Sequence, residues 1–251
     1  MRVAARSASI ALACAGLVLC AATHAQQVLT AEVLRLGRVD AGTAPLQNIS
    51  ERVLREAGRR AGVGFEFVPV PLPRAIESAN DGDLDGDTHR IADVLAQYPN
   101  LLKIPTPINR IDVAMYGATP AIRAMTRDEI TTLRIGYARG VFVLDKYARS
   151  PGMMQAQRTT DTVEMLHNGR VDAAMASYVN TQHRLIVGAV NDIHLWPHVW
   201  ASEPLYLVLN KRHERWVAPL DAALQRMARE GLIAAYYNEE LRRLGIARLP
   251  D

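Results

Sequence analysis

The chain has 251 residues, 49% of them hydrophobic and 22% charged, with a formal net charge of +3. Those proportions exclude a disordered or collagen-like chain and supply apolar material for a substantial core. Much of the positive charge depends on the leader-like N-terminus. Arg2 and Arg6 precede an Ala/Leu-rich run from Ile10 to Ala22, and Thr23-His24-Ala25 offers small residues where signal peptidase reads. The run is shorter than the roughly 20 residues of a spanning helix. Residues 1–25 are therefore expected to be a signal peptide cleaved after Ala25, which would place the protein in the periplasm. Leu19 stands before Cys20 where a lipobox has a small residue, so lipid anchoring is not expected. Without Arg2 and Arg6, Lys+Arg falls from 29 to 27 against 26 Asp+Glu, a net charge of +1. That balance gives no electrostatic footprint for nucleic acid. Both cysteines, Cys14 and Cys20, fall in the leader, which excludes disulfides and thiolate chemistry from the remainder.

From residue 32 onward, short strands and helices alternate. Glu32 to Arg38 has the period of a strand, and a Gly/Pro loop follows from Asp40 to Pro45. Asn48 or Ser50 is placed to cap a helix whose apolar face is Ile49, Val53, Leu54, Ala57 and Ala61, with Gly62 at its end. Phe65 to Val68 reads as a strand, Arg74 to Ala79 as a helix, and Asn80-Asp81-Gly82-Asp83 as a turn. After an apolar strand around Ile111 to Met115 and a segment from Ala118 to Ala124, the pattern restarts. Strands are expected at Leu133 to Tyr137, Met154 to Gln157 and Val171 to Ala176, with helices at Val141 to Arg149 and Asp161 to His167. A strong strand, Pro204 to Leu209, precedes two amphipathic segments, Trp216 to Arg229 and Leu232 to Leu244. The β-α-β order with short loops points to mainly parallel sheets covered by helices. Two similar α/β units and a returning strand suggest two lobes joined by crossings near Tyr116 and Glu203.

No phosphate loop, HExxH, GxSxG or dinucleotide fingerprint occurs, and no cofactor is expected. His194 and His198 flank Pro197, which disfavours a helical metal pair, and the Asp81, Asp83, Asp85, Asp87 run lacks the distal Glu of a calcium loop. No metal is expected either. Arginines at strand ends carry more information. Arg90 closes the segment Asp85-Gly86-Asp87-Thr88-His89-Arg90, at the edge where open α/β sheets collect ligands. Its guanidinium can clamp a carboxylate through two parallel bonds, whereas the bland alternative pairs it with Asp87 or Asp93 at the surface. Arg74 is oddly placed at the start of a helix, and Arg139-Gly140 sits at a strand-to-helix junction open to an anion.

The stretches Pro73-Arg74-Ala75, Asp81 to Asp87 with Arg90, Leu133 to Gly140, Thr162 to Ala174 and Pro204 to Lys211 together resemble the family 3 extracellular solute-binding proteins. The resemblance implies an α/β, two-lobed type II periplasmic binding fold with two interlobe crossings. The repeated α/β unit and the returning strand Pro204 to Leu209 put lobe one over residues 28–115 and 204–251 and lobe two over 117–202. The resemblance also implies that Arg90 binds a ligand carboxylate; the site is expected to include Arg74, Asp40, Asp87, Thr88 and His89 beside it, with Arg139, Gly140 and Ser177 facing it. Ser177 stands where amino-acid binders carry the aspartate for the α-amino group, and Val141 where they carry Thr or Ser, which counts against a standard L-amino acid. The expected role is non-enzymatic binding of a small polar or anionic solute by a monomeric protein, for delivery to an inner-membrane ABC permease. Two alternatives remain: a ligand sensor for a signalling partner, and a dehydratase-like lyase using Asp40, Asp87 or His89 as acid or base.

Overall fold

The computed structural model describes residues 32–39, 44–156 and 159–249. The leader, Asp40 and Gln157 lie outside the described residues. Strand β1 (Val33–Val39) leads to helix α1 (Pro45–Ala61), β2 (Gly64–Val70), α2 (Leu72–Asp81) and β3 (Gly86–Arg90). A 3-10 segment, Ala92–Gln97, precedes the short β4 (Leu101–Lys103) and the long β5 (Asn109–Gly117). Then come α3 (Arg127–Thr131), β6 (Ile135–Ala138), α4 (Phe142–Tyr147), β7 (Met153–Ala156), α5 (Thr159–His167), β8 (Ala173–Ser177) and α6 (Tyr178–Val187). The chain closes with β9 (His194–Leu195), β10 (Ala201–Asn210), α7 (Val217–Arg229) and α8 (Leu232–Arg243).

The sheet runs β2-β1-β3-β10-β5-β8-β6-β7, with β4 on β10 and β9 on β5 off this path. The pairs β1/β2, β1/β3, β6/β7 and β6/β8 are parallel, as the alternating pattern predicts. β5 and β10 break that rule. β10 runs antiparallel to β5 over Ala201 to Leu205, then antiparallel to β3 over Tyr206 to Leu209, and β5 passes antiparallel to β8 from Val113 to Gly117. The sheet is therefore mixed, because β10 borders the first parallel set, β5 borders the second, and the two pair with each other between them. The close pairing of β3 with β10 requires Gly86, where a Cβ would stand 2.3 Å from the Val208 carbonyl oxygen.

Helix α1 begins earlier than its polar residues suggest. Pro45, with fixed φ and no N–H to lose, takes the first turn; Ala44 is the N-cap and makes no side-chain bond. Asn48 and Ser50 are therefore interior residues, not caps. Ile49, Val53, Leu54 and Ala57 are buried as their spacing predicts, and Gly62 ends the helix at φ +83°. Val53, Leu54 and Ala57 share a core with Leu34 and Leu36 of β1, Leu207 and Leu209 of β10, and Leu220, Leu224 and Met227 of α7. Both α7 and α8 pack on α1. A larger core gathers the apolar residues of β5, β6 and β8 with Trp196, Trp200, Tyr237 and Leu241. Among the described residues, no helix is long and apolar enough to cross a membrane.

Candidate functional site

A cavity of ≈ 140 Å³ opens where β3, β6 and β8 end. Arg90 is the last residue of β3, Gly140 follows β6, and Ser177 is the last residue of β8; all three line the cavity with His89. The chain turns from each strand end, so the first turns of α1 (Leu46, Gln47) and α6 (Asn180) also reach the wall. Gly140 makes the β6–α4 junction at φ +78°, a backbone shape that side chains resist. The remaining wall is apolar: Ile91, Ile111, Phe142, Leu144 and Leu205 among others.

Arg90 is 5% exposed and Ser177 7%. Arg90 Nη2 lies 2.5 Å from Asp87 Oδ2, in a pair whose side chains are 6% and 0% exposed. The sequence alternative of a surface pairing is thus half right: the partner is Asp87, but the pair is buried, and Asp93 is engaged elsewhere by Lys146 at 2.7 Å. Nη1 donates to the His89 carbonyl at 3.1 Å, whereas Nε is buried with no hydrogen-bond partner among the described residues. Ser177 is the N-cap of α6, yet its Oγ caps nothing and is also buried without a partner. Burial pushes the Asp87 carboxyl above the ordinary carboxylate range, against the opposing pull of the Arg90 charge.

A polar layer behind the wall fixes these groups. Ser50 Oγ lies 3.0 Å from His89 Nδ1, and Asn109 Nδ2 donates to Ser50 Oγ and to the Leu46 carbonyl, both at 3.1 Å. Burial, with the Arg90 charge beside it, pushes His89 down to about 3, so it stays neutral at ordinary pH. Gln47 Nε2 donates to Thr88 Oγ1 at 3.0 Å. The Leu46 amide, an orphan donor of the first turn of α1, donates to Asn180 Oδ1 at 3.1 Å and so ties α1 to α6.

The structure therefore brings Arg90, His89, Gly140 and Ser177 to one cavity. Asp87 and Thr88 are buried behind it, each holding a lining residue. Arg74 and Arg139 are exposed and do not line it, and Asp40 lies outside the described residues. Asp85 does not belong to a cation loop: it accepts from the Arg35 amide at 2.7 Å and pairs with Arg212. His198 packs edge-on against Trp196, with centroids 4.8 Å apart. Among the described residues no group of three or more His, Cys, Asp or Glu could hold a metal ion. Gln47, Phe142, Leu144 and Asn180 were not legible as site residues. Phe142 and Leu144 read as an ordinary helical stripe, and nothing local marks Asn180.

No family model matches the chain. An uncharacterised protein of Shewanella oneidensis is 23% identical over 195 residues, 74% of each chain. Among solved structures, the ligand-binding core of GluR0 in complex with L-glutamate superposes with a TM-score of 0.72 at 15% identity, over 84% of this chain and 99% of that one. The fold is that of the two-lobed periplasmic binding proteins. An ancestral arginine-binding protein bound to arginine gives 0.66 at 16% identity over 82% and 97% of the two chains. A histidine kinase sensor domain with similarity to periplasmic binding proteins gives 0.67 at 13% identity over 83% and 96%. At these identities the likeness establishes the fold alone.

Proposed function

We propose that the protein is a periplasmic solute-binding protein that closes its two lobes on a small, carboxylate-bearing ligand. The carrying observation is that Arg90 and Ser177, whose Nε and Oγ are buried without partners, line one cavity from two parallel strand sets. Lobe one comprises residues 28–115 and 204–251, and lobe two residues 117–202. The crossings are β5 and β10, which pair with each other over Asn109 to Val113 and Ala201 to Leu205. Ligand that touches both lobes populates the closed state. The positive N-terminal ends of α1 and α6 at the wall add to Arg90 in favouring an anion.

Delivery to an inner-membrane ABC permease is the role we assign. Sensing is the second reading, favoured by the likeness to a histidine kinase sensor domain. A lyase is disfavoured on chemical grounds. Asp87 is fully buried and committed to Arg90, and His89, pushed down to about 3, is a poor proton acceptor at neutral pH. Export follows cleavage after Ala25, and intact mass of the host-derived protein should show a chain beginning at Gln26. A thermal-shift screen across carboxylates, amino acids, amines and sugars tests the binding role. A true ligand at 100 times its Kd should add about 2.7 kcal/mol of apparent stability. Absence of any shift across the panel contradicts it.

A further inference from the structure

The cavity lining carries one guanidinium and no carboxylate among the described residues. Arg90 and Ser177 line it, and their Nε–H and hydroxyl are buried without hydrogen-bond partners, as are the carboxylate oxygens of Asp87 behind the wall. The two amide oxygens at the wall are neutral, and each already accepts one hydrogen bond. Asn180 Oδ1 accepts from the Leu46 amide at 3.1 Å, and Gln47 Oε1 accepts from Thr88 at 3.4 Å. No Asp or Glu is among the described residues that line the cavity. The nearby acid, Asp87, lies behind the wall and is paired with Arg90. Asp145 of α4 is not a lining residue either.

A carboxylate placed at the wall meets the Arg90 guanidinium, whose charge Asp87 balances from behind, whereas an ammonium there meets no carboxylate in the lining. Burying a charge without a counter-charge or a hydrogen bond is strongly unfavourable. Beyond the carboxylate position the ligand meets Ile91, Ile111, Phe142, Leu144 and Leu205, which reward apolar surface. The ≈ 140 Å³ volume has room for a small apolar group. An apolar protein cavity of about 150 Å³ is known to accept benzene.

We infer that the ligand is a small monocarboxylate with an apolar ring or chain and no charged amine. This rests on the carboxylate-binding reading and narrows it. Arg90 and Ser177 at the wall receive the head group, and the apolar wall selects the body.

Matched ligand pairs test this in the full-length exported protein by titration calorimetry: 4-methylpentanoate against L-leucine, and 3-phenylpropanoate against L-phenylalanine. At least one acid lacking the amine should bind, roughly tenfold or more tighter than its amino counterpart. The variant Ser177→Asp places a carboxylate in the cavity and should reverse that order. If that variant fails to fold, the wild-type comparison still decides. Equal or tighter binding of the amino acids overturns the inference while leaving the carboxylate-binding reading intact. Silence from all four probes also overturns it. The carboxylate-binding reading then stands only if another carboxylate in the wider thermal-shift panel binds, and falls with it if none does.

Discussion

Removing the charge of Asp87 while keeping its shape, as Asp87→Asn, separates what Arg90 does for the fold from what it does for a ligand. The two groups lie 2.5 Å apart with side chains 0% and 6% exposed. Two unit charges at that distance attract by about 7 kcal/mol at an effective dielectric constant near 20. Most of this offsets desolvation, which costs several kcal/mol per ion, so the pair itself adds little net stability. Breaking it is different, because Arg90 is then left buried and uncompensated, at a cost of about 3–5 kcal/mol. For a domain of this size each kcal/mol moves Tm by about 2–4 °C, so Tm should fall by roughly 6–20 °C. The double variant Asp87→Asn/Arg90→Met removes both charges and should regain much of the loss, a coupling measurable in a double-mutant cycle by urea or thermal unfolding. A bound carboxylate supplies the missing anion, so a ligand should raise the Tm of Asp87→Asn by more than that of the wild type. Single variants within about 1 kcal/mol of wild type, with additive effects in the double variant, would refute the reasoning and reduce the pair to an ion pair of surface strength.

Asn180→Ala removes the acceptor that satisfies the Leu46 amide at 3.1 Å. Lost capping of this kind costs about 0.5–2 kcal/mol, and hydrogen exchange should quicken in the first turn of α1 before the rest of the chain. Lys146 Nζ bridges Asp93 at 2.7 Å and Glu203 at 2.6 Å, and Glu203 also accepts from the Tyr147 hydroxyl. Lys146→Gln should favour a more open ensemble in solution scattering, an effect that high salt reproduces in the wild type; identical scattering curves would dismiss this contact as a latch. His89 titrates at about 3 when folded, below its ordinary 6.5, so it lends stability above pH 6.5 that is lost as pH falls toward 3. The slope from this one proton is at most about 1.4 kcal/mol per pH unit, and His89→Gln should flatten the acid limb of the stability profile by that amount.

Much of the scaffold was legible because it depends on local periodicity. The buried face of α1, the parallel β1/β2 and β6/β7 pairs, and the strand Pro204 to Leu209 all follow patterns visible within a dozen residues. The antiparallel passage of β10 across both β5 and β3 was not, since its register depends on partners about 90 and 120 residues away in sequence. Helix α6 was missed because Tyr178 to Val187 is rich in β-branched, aromatic and polar residues of modest helix propensity. Packing of Tyr178, Val179 and Leu185 into the core overrides that preference, and Asn180 reaches the cavity only as a result. Arg90 was legible as a strand-end guanidinium. The burial of its partner Asp87 was not, because β3 is central only once β10 has returned beside it.

The central claim is that Arg90 holds a ligand carboxylate by the geometry of its guanidinium as well as by its charge. Titration calorimetry of the wild type and Arg90→Lys with the tightest-binding carboxylate tests this most directly, because lysine keeps a charge beside Asp87 but loses the planar fork. Losing part of a buried charge-assisted contact should weaken binding by about 2 kcal/mol or more, roughly thirtyfold in Kd, with the folded state preserved. Equal affinities in the two proteins would contradict the claim and remove Arg90 from the binding site.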